Sequence, residues 1–151
     1  MTERRLPTTV CFVSGKGGVG KTMLAVAFAR EISLTNRTLV VDLDFFNRGL
    51  TGLMREGRIV GDVAVPSFLA SSAEGQQWMI AEVAENLYNV SYPHLTQRQM
   101  QLFEELDVHK LRDSLSDWLC AVATAYNIEF LVLDCHGGPD NSSFAAFSCL
   151  S

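Results

Sequence analysis

The sequence predicts an α/β fold, a parallel sheet with helices on both faces, on the strength of three observations. An apolar β-type run, Val10-Cys11-Phe12-Val13, leads into a glycine-rich loop and then a segment of helical period. A second run, Thr38-Leu39-Val40-Val41, follows the first by about 30 residues, the spacing of a βαβ unit with a right-handed crossover. A third, Phe130-Leu131-Val132-Leu133, delivers Asp134 to a strand end.

Taken in order, residues 8–14 are the first strand, expected to be buried on both faces as parallel strands are. A helix runs from 21 to about 34, with Leu24, Phe28 and Ile32 at i, i+4 spacing as its core stripe. Asn36-Arg37 turns the chain into the second strand. Residues 55–75, rich in Gly, Ser and Ala, read as irregular with one short helix, and residues 76–84 read as helical. Residues 87–92 form a short third strand that stops at Pro93. From 96 to 126 a helical pattern passes through Phe103, Leu111, Leu115, Trp118, Leu119 and Val122. Its spacing loosens at Asp107-Val108-His109, which allows one helix or two, and its aromatic-and-leucine stripe is core rather than a cofactor site. Residues 128–134 complete another strand. Residues 143–151 have the look of a helix just begun.

The loop carries the chemistry. Residues 14–22 read Ser14-Gly15-Lys16-Gly17-Gly18-Val19-Gly20-Lys21-Thr22, which satisfies G-x-x-x-x-G-K-[ST] at Gly15, Gly20, Lys21 and Thr22. Chance supplies those four positions in about one chain of this length in two hundred. Phosphates need close approach by several backbone N–H groups, and glycine leaves no Cβ in the way. The helix beginning near Gly20 adds unsatisfied N–H groups and a positive dipole end. Lys21 brings charge to the β/γ oxygens of a nucleotide, and the Thr22 hydroxyl is placed for Mg²⁺. The second strand ends in Asp42-Leu43-Asp44. In a parallel sheet that end shares an edge with the loop, so both carboxylates arrive near the metal unless they serve only as turn or capping aspartates. Asp134 fits the second nucleotide motif, whose acid holds a water on Mg²⁺.

Composition sets the outer limits. The chain has 151 residues, 48% of them hydrophobic and 19% charged, as a single core-forming domain spanning residues 1–151 does. No apolar run approaches the ~20 residues of a membrane span. Arg4-Arg5 has no apolar stretch behind it, so no secretory signal is expected and the chain reads as cytoplasmic. Residues 1–60 hold nine basic and five acidic side chains, and residues 61–151 three basic and twelve acidic. The basic half contains the anion-binding loop, while the acidic half argues against a broad nucleic-acid surface. Cys11, Cys120, Cys135 and Cys149 lack C-x-x-C spacing. Cys11 and Cys120 read as core residues, and Cys135-His136 as a loop after a strand, constrained by backbone geometry rather than by a metal.

Lys16 lies inside the loop, giving Lys-Gly-Gly-Val-Gly-Lys-Thr from 16 to 22. This resembles the variant phosphate loop of the ParA/MinD family of ATPases, with the D-x-D at 42–44 and the Asp134 motif following in order. The resemblance covers essentially the whole chain. It implies a P-loop NTPase fold, with the 87–92 strand at the sheet's far edge, and ATP and Mg²⁺ as cofactors. Gly15, Lys16, Gly17, Gly18, Val19, Gly20, Lys21, Thr22 and Met23 would hold nucleotide, and Thr22, Asp42 and Asp134 the metal region. Asp44 would place the attacking water. Lys16 would reach the partner's phosphates in an ATP-dependent homodimer, as an arginine finger does where it contributes about 10³–10⁵ in rate. Gly137 or Gly138, in a second switch, would donate an N–H to the γ-phosphate.

The sequence also departs from the family. Phe45-Phe46-Asn47-Arg48 replaces the usual Pro-Gln-Gly after D-x-D, suggesting a distinct wall or partner contact, with core packing of one ring equally open. Met23 replaces a hydroxyl residue, which predicts weaker nucleotide affinity. Family members run well past 200 residues, so the chain is expected to be an N-terminal portion, its fold incomplete at the C-terminus. The strand missing beside the first strand would leave an open edge. Any nucleic-acid or membrane contact would be carried by a missing C-terminal part. The function implied is a slowly hydrolysing nucleotide switch that controls an unidentified protein partner. The rivals are a metabolic or metallocentre-maturation enzyme on the same fold and a non-hydrolysing interaction module.

Overall fold

In a computed structural model, residues 5–14, 20–45, 50 and 57–137 are described. The elements are β1 (Thr8–Ser14), α1 (Lys21–Ile32), β2 (Thr38–Asp42), β3 (Arg58–Val63), α2 (Ser67–Ala70), β4 (Trp78–Ala84), β5 (Leu87–Ser91), α3 (Gln97–Glu105), α4 (Val108–Ala125) and β6 (Phe130–Gly137). The six strands form one sheet in the order β1-β6-β2-β5-β4-β3. The first four are parallel neighbours, and β4 and β3 extend the sheet antiparallel.

Alternation in the central strands divides the core in two. Leu39, Val41, Leu131 and Leu133 face α3 and α4, with Phe103, Leu115 and Leu119 over them. Val40, Val132 and Leu87 face the opposite way, onto Ala25, Val26 and Ala29 of α1. Helices therefore cover both faces, as expected. The loosening at 107 is a true break. Asp107 caps α4, its carboxylate accepting from the N–H groups of His109 and Lys110, while Thr96 and Gln99 form a capping box on α3.

Several expectations are corrected. Residues 76–84 hold strand β4, not a helix. Gln, Met, Ala and Glu favour a helix locally, but pairing with β5 through a turn at Asn86 (φ 59°) overrides that preference. Within 55–75, read as irregular with one short helix, the helix is α2, but residues 58–63 form strand β3. The 87–92 strand, expected as the third and at the sheet's far edge in the family arrangement, is interior because β4 and β3 lie beyond it. β1 is only partly buried, because it is the end strand among the described residues; Val13 is 41% exposed. The stripe of α1 is rotated from the expected one. Leu24 is 61% exposed and Ile32 half-buried, and Ala25 and Ala29 are fully buried because their small side chains let the helix approach the sheet. Phe28 keeps a contact, edge-on to Phe12 at 5.5 Å.

One residue ties the floor of the sheet together. The Arg37 carbonyl accepts from the N–H groups of Glu129 and Phe130, and its own N–H donates to the Glu129 carboxylate at 2.7 Å. Its guanidinium donates to the Tyr126 carbonyl at 2.9 Å and lies 4.9 Å from the centre of the Tyr88 ring.

Candidate functional site

β1, β6 and β2 lie side by side and parallel, so their C-terminal ends share one rim. Cα pairing places Phe12 beside Asp134, and Asp134 beside Asp42. The β1–β6 ladder ends with Ser14 beside Gly137, next to the start of the glycine-rich loop. β6 continues through Gly137, so Cys135 and His136 lie within a strand, not in the loop expected from sequence.

α1 starts at this rim. Its N-cap, Gly20, has φ 82°, a left-handed conformation that L side chains rarely adopt, and no side chain caps the helix. The first two helical residues turn to β6. Lys21 Nζ forms an ion pair with Asp134 Oδ1, and Thr22 Oγ1 donates to Asp134 Oδ2 at 2.8 Å. Asp134 is 1% exposed, so its charge is held by these two groups rather than by water. Met23 is 62% exposed and turns away from the sheet.

Asp42 is fully buried at the end of β2, and its Oδ1 accepts from the Asp44 N–H at 3.0 Å. This local turn places Asp44 just beyond the strand. The Leu43 N–H donates to the Asp134 carbonyl at 2.8 Å, and the Tyr92 hydroxyl to the Asp42 carbonyl at 2.8 Å. Phe45 is buried against Tyr92, Phe68 and Phe103, so this ring is core. The structure thus gathers Gly20, Lys21, Thr22, Asp42, Asp44, Asp134 and Gly137 at one rim. Gly15, Lys16, Gly17, Gly18 and Val19 of the loop lie outside the described residues, as do Phe46, Arg48 and Gly138.

The donor set suits magnesium. A threonine hydroxyl and a buried carboxylate within hydrogen-bond distance, with a second carboxylate in register, are the hard oxygen ligands that this ion takes. The Cys135 thiol donates to Cys11, which pushes Cys135 up and, together with burial, keeps it protonated, while Cys11 is held below its ordinary value. Among the described residues no group of three or more His, Cys, Asp or Glu side chains could hold a metal by itself, so magnesium here would take its remaining ligands from phosphate and water.

One residue and one contact escaped sequence reasoning. Tyr92 reads as the end of a strand and gives no sign of the backbone it touches fifty positions earlier. Asp134 is expected at this rim from sequence, but its ion pair with Lys21 is not, because the motifs turn one side chain toward phosphate and the other toward magnesium.

Comparison with known proteins bears on the family and the fold. The model of the CobQ/CobB/MinD/ParA nucleotide binding domain matches residues 10–144. No curated protein matches the chain. A plasmid partition protein from Borrelia burgdorferi superposes with a TM-score of 0.68 at 19% identity, covering 96% of this chain and 62% of its own. The septum site-determining protein MinD from Pyrococcus horikoshii, complexed with Mg-ADP, gives 0.58 at 21% identity, covering 95% and 55%. A MinC:MinD cell division protein complex from Aquifex aeolicus gives 0.57 at 21%, covering 94% and 52%. The chain therefore spans between about half and two thirds of the length of these proteins. With the motif, the three-stranded rim and the family match in agreement, the chain belongs to the CobQ/CobB/MinD/ParA nucleotide-binding domain family.

Proposed function

We propose that this protein binds Mg·ATP at the rim of β1, β6 and β2, hydrolyses it slowly, and uses the nucleotide state to dimerise and control a protein partner. The observation that carries the reading is the convergence of Lys21 and Thr22 on Asp134. A lysine, a hydroxyl and a carboxylate at the start of an uncapped helix are the groups that a triphosphate–magnesium complex requires.

In this reading Lys21 and the amides of the 15–22 loop bind phosphate, and Thr22 and Asp134, with Asp42 behind them, hold the metal. Bound magnesium would neutralise charge on the β- and γ-phosphate oxygens. Asp44, carried on the turn built by Asp42, places the attacking water. Gly137, beside the loop entrance, senses the γ-phosphate. Lys16 completes the site of a second copy. Support for dimerisation and a protein partner comes from the family and from a solved neighbour that is itself a MinC:MinD complex. A cytoplasmic location belongs to the same proposal.

Calorimetric titration of Mg·ATP into the protein tests the binding, and the absence of heat and of displacement of a fluorescent nucleotide overturns it. Lys16→Ala tests the switch. Nucleotide binding is expected to persist while ATP-dependent dimerisation and hydrolysis are lost, and equal ATPase rates in variant and wild type refute the role in trans.

A further inference from the structure

Asp44 stands one residue beyond the last hydrogen bond that β2 makes to β6. The β2–β5 ladder ends earlier, at Val40 beside Asn89. β5 itself ends at Ser91, and Pro93 has no amide to give, so strand pairing does not reach the Asp42 carbonyl from that side. The Tyr92 hydroxyl reaches it instead, at 2.8 Å. Tyr92 is 3% exposed and fixed in place by its neighbours. Its ring stacks on Trp78 at 4.6 Å, with 19° between the planes, and meets Phe45 at 5.5 Å. A hydroxyl held this rigidly acts as a substitute rung of the ladder.

We infer that Tyr92 is a positioning residue, holding the tip of β2, and with it Asp44, through its hydroxyl bond to the Asp42 carbonyl. The inference rests on the ATPase reading above, since it is the water placed by Asp44 that gains from a fixed tip. The tip is tied on one side by the Leu43 N–H to the Asp134 carbonyl and on the other by Tyr92. Removing one tie leaves Asp42 in the sheet and loosens the strand tip that carries the turn at Asp44. Small errors in the placement of a reacting group are expensive in rate, while phosphate binding through Lys21 is untouched.

Tyr92→Phe keeps the ring stack and removes only the bond. Its kcat for Mg·ATP hydrolysis is expected to fall roughly tenfold, with KM changed by less than about twofold. Amide exchange at Leu43 and Asp44 should accelerate locally, with the melting temperature nearly kept. Tyr92→Leu, which also destroys the stack, supplies the profile of a structural defect, with melting temperature, KM and kcat all displaced. Unchanged kcat in Tyr92→Phe overturns the inference, as do unchanged amide exchange at 43–44 or a response that follows the Tyr92→Leu profile. A wild-type protein that neither binds nor hydrolyses Mg·ATP is a different failure. It removes the ATPase reading, and this inference with it, before any variant is made.

Discussion

The ammonium group of Lys21 forms an ion pair with the carboxylate of Asp134, 113 positions later in the sequence. The first residue of α1 is thereby joined to the strand it packs on, at a carboxylate that water hardly touches. Removing one member strands the other. Lys21→Met is expected to cost roughly 3–5 kcal/mol of stability, because Asp134 is left buried without its cation. Lys21→Met with Asp134→Asn should regain most of that in urea melts while nucleotide binding stays lost. Additive losses in the double variant refute the coupling.

Chelating magnesium should weaken ATP binding by about tenfold or more. Phosphates that draw Lys21 to themselves leave Asp134 without its cation in a buried site, and a divalent ion offsets that loss. Asp134→Asn should therefore show a much smaller difference between titrations in Mg²⁺ and in EDTA. Equal affinities for wild type under both conditions count against the arrangement.

The rotation of α1 yields a contrast between neighbours. Leu24→Gln, at a position 61% exposed, should change stability by less than about 0.5 kcal/mol. Ala29→Leu, at a fully buried position under Val40 and Val132, should cost roughly 1–3 kcal/mol through overpacking. Thermal melts that reverse this ranking restore the Leu24 stripe.

How far sequence carries depends on how tightly chemistry restricts the residue. The gathering of Gly20, Lys21, Thr22 and Asp134 at one rim was legible because the loop motif fixes residue type there and parallel strands bring their ends together. Phe28 and Leu24 have the same polarity and period, and only the small volumes of Ala25 and Ala29 decide which side of the helix meets the sheet. The antiparallel β3–β4 extension was illegible for a related reason. Its residues have mixed propensity, and their partners are chosen by β5 and by the Trp78–Tyr92 stack. Tyr92 itself bonds to a main-chain carbonyl, which any residue at 42 would offer, so no side-chain pattern announces it.

Gly61 packs where a methyl group would collide with Tyr126. A Cβ there would lie 2.1 Å from the Tyr126 hydroxyl, which donates to the Asp62 carbonyl at 2.7 Å. Gly61→Ala is expected to displace the ring and cost roughly 1–2 kcal/mol. In a Tyr126→Leu background the same change should cost far less, as a double-mutant cycle by denaturant melts will report.

Acid should loosen the start of α4. Hydrogen bonds from the Lys110 and His109 amides hold the Asp107 carboxyl below its ordinary value. A carboxyl depressed in the folded state contributes stability above its unfolded pKa of about 3.9, and this is lost as pH falls through the folded value. Asp107→Asn, which still caps but does not titrate, should follow wild type near neutrality with a constant offset, then converge on it or overtake it in acid. Parallel melting-temperature profiles down to the acid limb refute this.

The attachments of Arg37 have a bearing on how inactive variants are interpreted. One planar, forked cation accounts for a link to the end of α4 and a contact with the Tyr88 ring, while its peptide group sets the entry of β6. Lysine would preserve the charge and lose the fork. A genetic screen for defective alleles would thus recover this position alongside Lys21 and Asp134, although it lies at the opposite end of the strands. Soluble yield, rather than turnover, would reveal that its contribution is architectural.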